Sequence, residues 1–94
     1  MDNEDRLRSQ LLFSLARKRK WGGSHTAYEN IFKVFKSQSL GKHGLALAKD
    51  LAEKLIKERF ILRKPTHYGT QVSLNPEKSQ EIKKLIKEQL GFDI

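Results

Sequence analysis

The sequence predicts a single, mainly α-helical domain with one small β-hairpin, an α+β fold with the element order α-α-α-β-β-α. Three observations lead to this fold class. Apolar residues recur at helical spacing in four segments, period-two alternation replaces that spacing between residues 60 and 74, and glycine or proline separates most of the segments. The 94 residues suffice for one modest hydrophobic core, so we expect one domain over residues 1–94.

The first helix is expected over about residues 3–20, where Asp2 and Asn3 can cap its start. Leucines at helical spacing predict its buried stripe: Leu7, Leu11, Leu12 and Leu15. Trp21, which we interpret as a core or hinge residue, and the paired glycines after it predict the helix end.

The second helix is expected over about residues 26–36, because Thr26 and Glu29 have the spacing of a capping box. Aromatic and apolar residues predict its buried stripe: Tyr28, Ile31, Phe32 and Phe35. The preceding residues 21–25 show no strand pattern. We therefore expect the sheet to contain only the two strands of the later hairpin.

The third helix, expected over about residues 44–59, leads directly into a hairpin over residues 60–74. The buried stripe of this helix is predicted to contain Leu45, Ala48, Leu51, Ala52, Leu55 and Ile56. Alternation in the hairpin predicts two faces, one with Phe60, Leu62, Val72 and Leu74 and the other with Arg63, Gln71 and Ser73. Residues 65–69 carry turn formers and are expected to connect the strands.

The fourth helix is expected over about residues 76–90, with Asn75 as its cap, Pro76 in its first turn and Gly91 after its end. This helix is more apolar than a covering helix requires, and Phe13 projects away from the buried stripe of the first helix. We therefore predict a homodimer interface formed by Phe13, Ile82, Leu85, Ile86 and Leu90. The alternative is that the fourth helix covers Phe13 within one chain.

The charge balance indicates the class of partner. The chain has 19 Lys and Arg against 11 Asp and Glu, a net charge of +8, which favours a polyanion such as nucleic acid. The alternative is that the charge serves solubility. The short apolar runs and the acidic N-terminus predict a cytoplasmic or nucleoid-associated protein with no membrane partner and no secretion signal.

The residues that most often perform catalysis or bind metals form no recognisable cluster. The chain has no cysteine, and its three histidines, His25, His43 and His67, fall on different predicted elements. No combination of serine, histidine and acid has the spacing of a catalytic site. We therefore expect no metal, no cofactor and no enzymatic activity.

A helix followed at once by a basic hairpin resembles the recognition helix and wing of the winged helix-turn-helix DNA-binding superfamily, over about residues 7–74. The resemblance implies that the third helix offers its exposed face to the major groove of duplex DNA. The implied contacts on that helix are Lys42, His43, Ala46 and Lys49. Asp50 and Glu53 lie on the same face and would repel phosphates, so the alternative is a solvated surface of mixed charge.

The hairpin is the more favourable electrostatic surface. The resemblance implies contacts to the minor groove or the phosphate backbone by Arg63, Lys64, His67 and Tyr68. The alternative is that these charges only protect a strand edge. A second basic run is either a phosphate-binding patch or a complement to the helix dipole: Arg17, Lys18, Arg19 and Lys20.

These observations predict a DNA-binding protein, either a transcriptional regulator or a general DNA-associated factor, whose contacts are mainly to the phosphate backbone. The alternative is a winged-helix module that binds protein or RNA within a larger complex.

Overall fold

The protein has an α+β fold. The computed structural model describes residues 3–33 and 41–94, and their side chains from residues 4–33 and 44–94. In chain order the elements are α1 (Asn3–Ala16), β1 (Thr26–Ala27), a 3₁₀ helix (Tyr28–Phe32), α2 (Gly41–Lys57), β2 (Ile61–Thr66), β3 (Gly69–Leu74), a second 3₁₀ helix (Pro76–Lys78) and α3 (Ser79–Leu90). Within these described ranges, no helix has the length and apolar character needed to cross a membrane.

The sheet has three antiparallel strands in the order β1-β3-β2. The third strand was not expected, and it forms where the sequence predicts the start of a helix. Thr26 pairs with Val72 and Ala27 with Gln71, so β3 binds these residues as strand partners. The Thr26 side chain accepts a hydrogen bond from Asn30 (2.8 Å) instead of capping a helix. The helix predicted over residues 26–36 is therefore wrong for residues 26–27, which form a strand. Residues 28–32 are helical, but as a 3₁₀ helix, and residues 34–36 lie outside the described residues.

The hairpin register places Arg63 on a different face from the one predicted. Ile61 pairs with Leu74 and Arg63 with Val72, and residues directly opposite in an antiparallel pair share a face. The buried face of β2 therefore begins with Ile61, not with Leu62. A register shift of one residue moves every side chain of a strand to the opposite face of the sheet. Arg63 therefore lies on the face that carries Val72 and Leu74.

The hairpin turn is tighter than predicted. Strand pairing continues to Thr66 and Gly69, which leaves His67 and Tyr68 as the turn in place of residues 65–69. The Thr66 hydroxyl donates to the Gly69 carbonyl (2.7 Å) and accepts from the Tyr68 amide (3.1 Å). Pro65 fits within β2 because β2 is an edge strand, where a missing amide donor leaves no partner unpaired.

Both α1 and α2 end in a Schellman motif. After α1, the Lys20 amide donates to the Leu15 carbonyl (3.0 Å) and the Arg19 amide to the Ala16 carbonyl (2.9 Å), so the helix ends at Ala16 and not at Lys20. After α2, the Phe60 amide donates to the Leu55 carbonyl (2.9 Å) in the same arrangement.

The left-handed position of this motif, which favours glycine, is occupied by arginine in both helices. Arg19 has φ 57° and Arg59 has φ 69°. A side chain in this conformation brings Cβ close to the next carbonyl oxygen and costs about 1 kcal/mol. The sequence lacked the usual glycine signal at these helix ends, which explains why the end of α1 was predicted too late.

The core lies between the sheet and the helices. The fully buried apolar side chains come from every principal element except β1: Leu11, Leu12, Leu15, Ile31, Ala48, Leu51, Ala52, Leu55, Ile61, Val72, Leu74, Ile82 and Ile86. The predicted stripes of α1 and α2 are thus confirmed for most members. Leu45 is the exception, because it is 38% exposed although the sequence placed it in the buried stripe.

The fourth predicted helix begins with a 3₁₀ turn. The Asn75 side chain accepts from the Glu77 amide (3.1 Å), which confirms the predicted cap, and α3 follows at Ser79. Gly91 ends α3 in the left-handed conformation (φ 80°), as predicted.

The residues predicted for a dimer interface are covered within one chain. Ile82 and Ile86 have no exposed surface, which leaves nothing of them for a second subunit. Phe13 stacks on Phe92 with ring centroids 4.7 Å apart and planes 9° apart. The alternative arrangement, in which the last helix and its C-terminal extension cover α1, is therefore the one present. A homodimer stays a prediction, and it now depends on the partly buried Leu85 and Leu90.

We expect replacement of Arg59 by glycine to stabilise the protein by about 1 kcal/mol, because glycine adopts the left-handed conformation without a Cβ clash. Urea unfolding monitored by circular dichroism measures the change. Lys49→Gly, at an exposed position inside α2, is the control and should destabilise by about 1 kcal/mol. Equal destabilisation by both substitutions would contradict the strain assigned to Arg59.

Candidate nucleic-acid interface

The exposed face of α2 carries four of the side chains considered from the sequence: Ala46, Lys49, Asp50 and Glu53. They lie opposite the buried Ala48, Leu51 and Leu55, as the helical spacing requires. The predicted contacts by Lys42 and His43 concern side chains outside the described residues. Lys57, at the end of α2, is exposed on the same face, which therefore presents two lysines and two carboxylates in its described part.

One of these carboxylates has two hydrogen-bond partners from other elements. Glu53 Oε1 accepts from Arg63 Nη1 at 3.0 Å, and Glu53 Oε2 accepts from the Tyr28 hydroxyl at 2.9 Å. Arg63 lies in β2 and Tyr28 opens the first 3₁₀ helix. The Arg63 and Glu53 side chains are 46% and 50% exposed, so water screens the ion pair but does not separate its partners. We call these three residues the Glu53 link.

The Glu53 link changes the electrostatic account of the interface. The charge of Glu53 is offset by Arg63, so this carboxylate opposes a polyanion less than the sequence suggests. Arg63 is in turn partly engaged and is not a free cation of the hairpin. Asp50 has no ion-pair partner among the side chains of residues 4–33 and 44–94, so within these residues it is the uncompensated carboxylate of this face.

Tyr28 is held in its protonated form. The pKa of Tyr28 is raised to about 12, mainly by burial and further by the hydrogen bond to Glu53 and the negative charge of Glu53. The positive charge of Arg63 opposes it. The phenol therefore remains a hydrogen-bond donor to Glu53 throughout the neutral pH range. The sequence placed Tyr28 in a core stripe and gave no signal for this contact.

The hairpin turn carries exposed polar and aromatic groups. Lys64 and His67 are exposed, and Tyr68 is 94% exposed at the tip. Because the exposed Tyr68 ring contacts little of the protein, the position of this side chain depends on the tight turn that Thr66 and Gly69 close. The predicted hairpin residues are thus brought together at one end of the sheet, except Arg63, which points to α2.

The second basic run lies at the other end of the sheet. The Leu74 amide donates to the Lys20 carbonyl (2.7 Å), which fixes the run Arg17–Lys20 beside the last residue of β3. The hairpin tip is at Gly69, the first residue of that strand. At about 3.4 Å per residue, the two ends of β3 are about 17 Å apart. The structure therefore separates the two basic clusters that the sequence analysis assigned to one partner.

The run borders an open groove of about 600 Å³ between the end of α1 and the start of α3. Three basic side chains, one aromatic ring and one hydroxyl line it: Arg17, Arg19, Lys83, Trp21 and Ser79. Ser79 and Lys83 could not be assigned to this groove from the sequence, because only the fold brings α3 beside the end of α1. Within the described ranges, no three His, Asp or Glu side chains lie together as a metal site would require.

Comparison of the chain with protein-family models, with curated proteins and with solved structures finds no match.

We expect the absorbance of ionised tyrosine to appear near pH 12 for Tyr28. The variant Tyr68→Phe leaves Tyr28 as the single tyrosine and permits its direct spectrophotometric titration. Glu53→Gln in that background should lower the midpoint, because a neutral amide removes the negative charge that favours the protonated phenol. Burial should still keep the midpoint above 10.

The same pKa shift predicts a loss of stability in alkali. The folded-state pKa lies above the ordinary tyrosine pKa of about 10, so this contribution to stability is fully present below about pH 10 and is lost as the pH rises through about 12. The difference in unfolding free energy between the wild type and Tyr28→Phe should therefore shrink over that interval. A difference that stays constant across it would contradict the assignment.

Proposed function

We propose that this protein is a winged-helix protein that binds duplex DNA mainly through the phosphate backbone, as a transcriptional regulator or a general DNA-associated factor. The Glu53 link carries the proposal. It joins α2 to the hairpin, so that the exposed face of the helix and the basic hairpin form one continuous surface.

The order of elements supports this proposal. A helix precedes a two-stranded hairpin, and the short strand β1 completes a three-stranded antiparallel sheet beside it. This is the arrangement expected when a recognition helix and a wing act together. The fold alone does not assign a function, so the proposal depends on the side chains of this surface.

The chemistry of the surface favours phosphate contacts over base reading. Lys49 on α2 and Lys64 on the hairpin supply exposed ammonium groups, and His67 and the Tyr68 hydroxyl supply hydrogen-bond donors at the tip. Ala46 is small and permits close approach of α2 to DNA. Arg63 acts mainly by holding β2 against α2, since Glu53 already engages its guanidinium group.

A specific observation favours a second candidate, a winged-helix module that binds another protein. Leu45 and Leu47 are 38% and 41% exposed on either side of Ala46. Exposed leucines near one end of a helix are typical of a protein-binding surface and contribute little to phosphate binding. Asp50, the uncompensated carboxylate, also suits a protein partner better than a polyanion.

We expect the protein to bind a short duplex at low salt, with an affinity that falls steeply as salt increases. Lys64→Ala and Lys49→Ala should each weaken binding about three- to tenfold and reduce the slope of log affinity against log salt by about 1. Fluorescence anisotropy of labelled duplex, single-stranded DNA and structured RNA measures these values and ranks the three nucleic acids.

Lys84→Ala is the matched control, because it removes the same charge from an exposed position on α3. It should leave the salt slope unchanged. The proposal would fail if Lys64→Ala and Lys84→Ala had equal effects, or if duplex DNA did not bind at low salt. A Leu47→Glu variant, which adds a negative charge beside Ala46 on α2, should weaken duplex binding. Unchanged duplex binding by this variant would count against DNA binding by this face and would favour the second candidate.

A further inference from the structure

The groove between the end of α1 and the start of α3 has the size of a small-molecule site. Its volume of about 600 Å³ lies within the range of about 300–1,000 Å³ that ligand pockets occupy. It lies beside Leu74, at the opposite end of β3 from the hairpin tip. The groove is therefore separate from the hairpin end of the surface proposed to bind DNA, and its role does not depend on that proposal.

The groove gathers positively charged side chains and no acidic side chain, and Ile94, the last residue of the sequence, also lines it. Arg17, Arg19 and Lys83 all line it, and no Asp or Glu is among its lining residues. The ion pairs formed by described side chains use other basic residues: Arg8, Lys54, Arg63, Lys78 and Lys87. Three convergent cations favour a multivalent anion, and phosphate groups match both the charge and the planar donors of arginine.

Trp21 adds an aromatic wall to this cationic groove. Its backbone bridges to Leu74, and the following Gly22 amide donates to the Leu74 carbonyl at 2.9 Å. The ring is partly buried against the core, so its position is fixed while part of it lines the groove. A fixed aromatic ring beside phosphate-binding groups is suited to stacking on a nucleobase.

The backbone at Arg19 supplies a further observation. Arg19 occupies the left-handed position that favours glycine (φ 57°), and its side chain lines the groove. Arg59 has the same strain (φ 69°) after α2 but does not line the groove, which makes it a matched comparison.

From this convergence we propose that the groove binds a nucleoside phosphate. Its phosphates contact Arg17, Arg19 and Lys83, and its base stacks on Trp21. The Ser79 hydroxyl, at the first residue of α3, lies in the same groove and can donate a hydrogen bond to the ligand.

Trp21 is the single tryptophan of the chain, so intrinsic fluorescence reports directly on the groove. Titration of the full chain with ATP at low salt should quench Trp21 in a saturable way. Arg17→Ala and Lys83→Ala should each raise the dissociation constant about tenfold, whereas Lys84→Ala, the adjacent exposed lysine, should leave it unchanged. Titration of free N-acetyltryptophanamide corrects for non-specific quenching.

Two glycine substitutions separate binding from stability. Arg19→Gly and Arg59→Gly should both raise the melting temperature, because both relieve left-handed strain. Only Arg19→Gly should weaken ATP binding. A loss of ATP binding in a more stable protein cannot be attributed to unfolding.

Inorganic pyrophosphate tests the role of the base. We expect it to bind at least tenfold more weakly than ATP, since it cannot stack on Trp21. The proposal would be overturned if quenching by ATP did not saturate, if Arg17→Ala and Lys83→Ala bound ATP like the wild type, or if pyrophosphate bound as tightly as ATP. It would also be overturned if duplex DNA alone quenched Trp21 through these residues. These ATP measurements do not depend on duplex binding, so the groove proposal can be tested even if the hairpin does not bind DNA.

Discussion

The Glu53 carboxylate is the contact on which the proposed surface depends. It accepts one hydrogen bond from a strand and another from a 3₁₀ helix while belonging to α2. Without these bonds, the hairpin would contact α2 chiefly through apolar packing at the base of the hairpin. With them, the orientation of the hairpin relative to the helix is set by a charged group and two directional donors. A surface that extends over both elements requires such a connection.

Because of this contact, the charged residues that add up to the net charge do not all contribute equally to the surface potential. Glu53 and Arg63 neutralise each other, so neither one dominates the potential around α2. The hairpin end of β3 and the groove at its other end each carry exposed cations, and Lys49 lies on the exposed face of α2. The net charge of +8 is therefore spread over more than one surface, and a single polyanion need not contact all of them.

The sequence predicted α1, α2, the hairpin and the last helix because their apolar residues keep one period over several turns or pairs. It could not predict β1, since two residues carry no period and are ordered only by pairing with β3. The face of β2 was also undetermined, because Phe60, Ile61 and Leu62 are three consecutive apolar residues that fit either alternation. Packing of Ile61 selects the register, and that register turns Arg63 toward Glu53.

The candidate site, like the fold, could be predicted from the sequence only where local patterns determine it. Lys64, His67 and Tyr68 could be placed at a hairpin end from local turn chemistry alone. The Glu53 link joins residues 10 and 25 positions apart in the chain, and no local pattern indicates it. Lys83 joins the groove only because α3 packs beside α1. Contacts between elements are set by tertiary packing, which single-sequence periodicity does not contain.

A double-mutant cycle on Glu53→Gln and Arg63→Ala tests the central claim most directly. Unfolding free energies of the four proteins should give a favourable coupling of about 0.5–1 kcal/mol, the upper part of the range for exposed ion pairs, because the carboxylate also binds Tyr28. The matched cycle of Asp50→Asn with Arg63→Ala should give no coupling. A coupling for Glu53 that is no larger than the coupling for Asp50 would contradict the account, since the hairpin would then not be held against α2 by this contact.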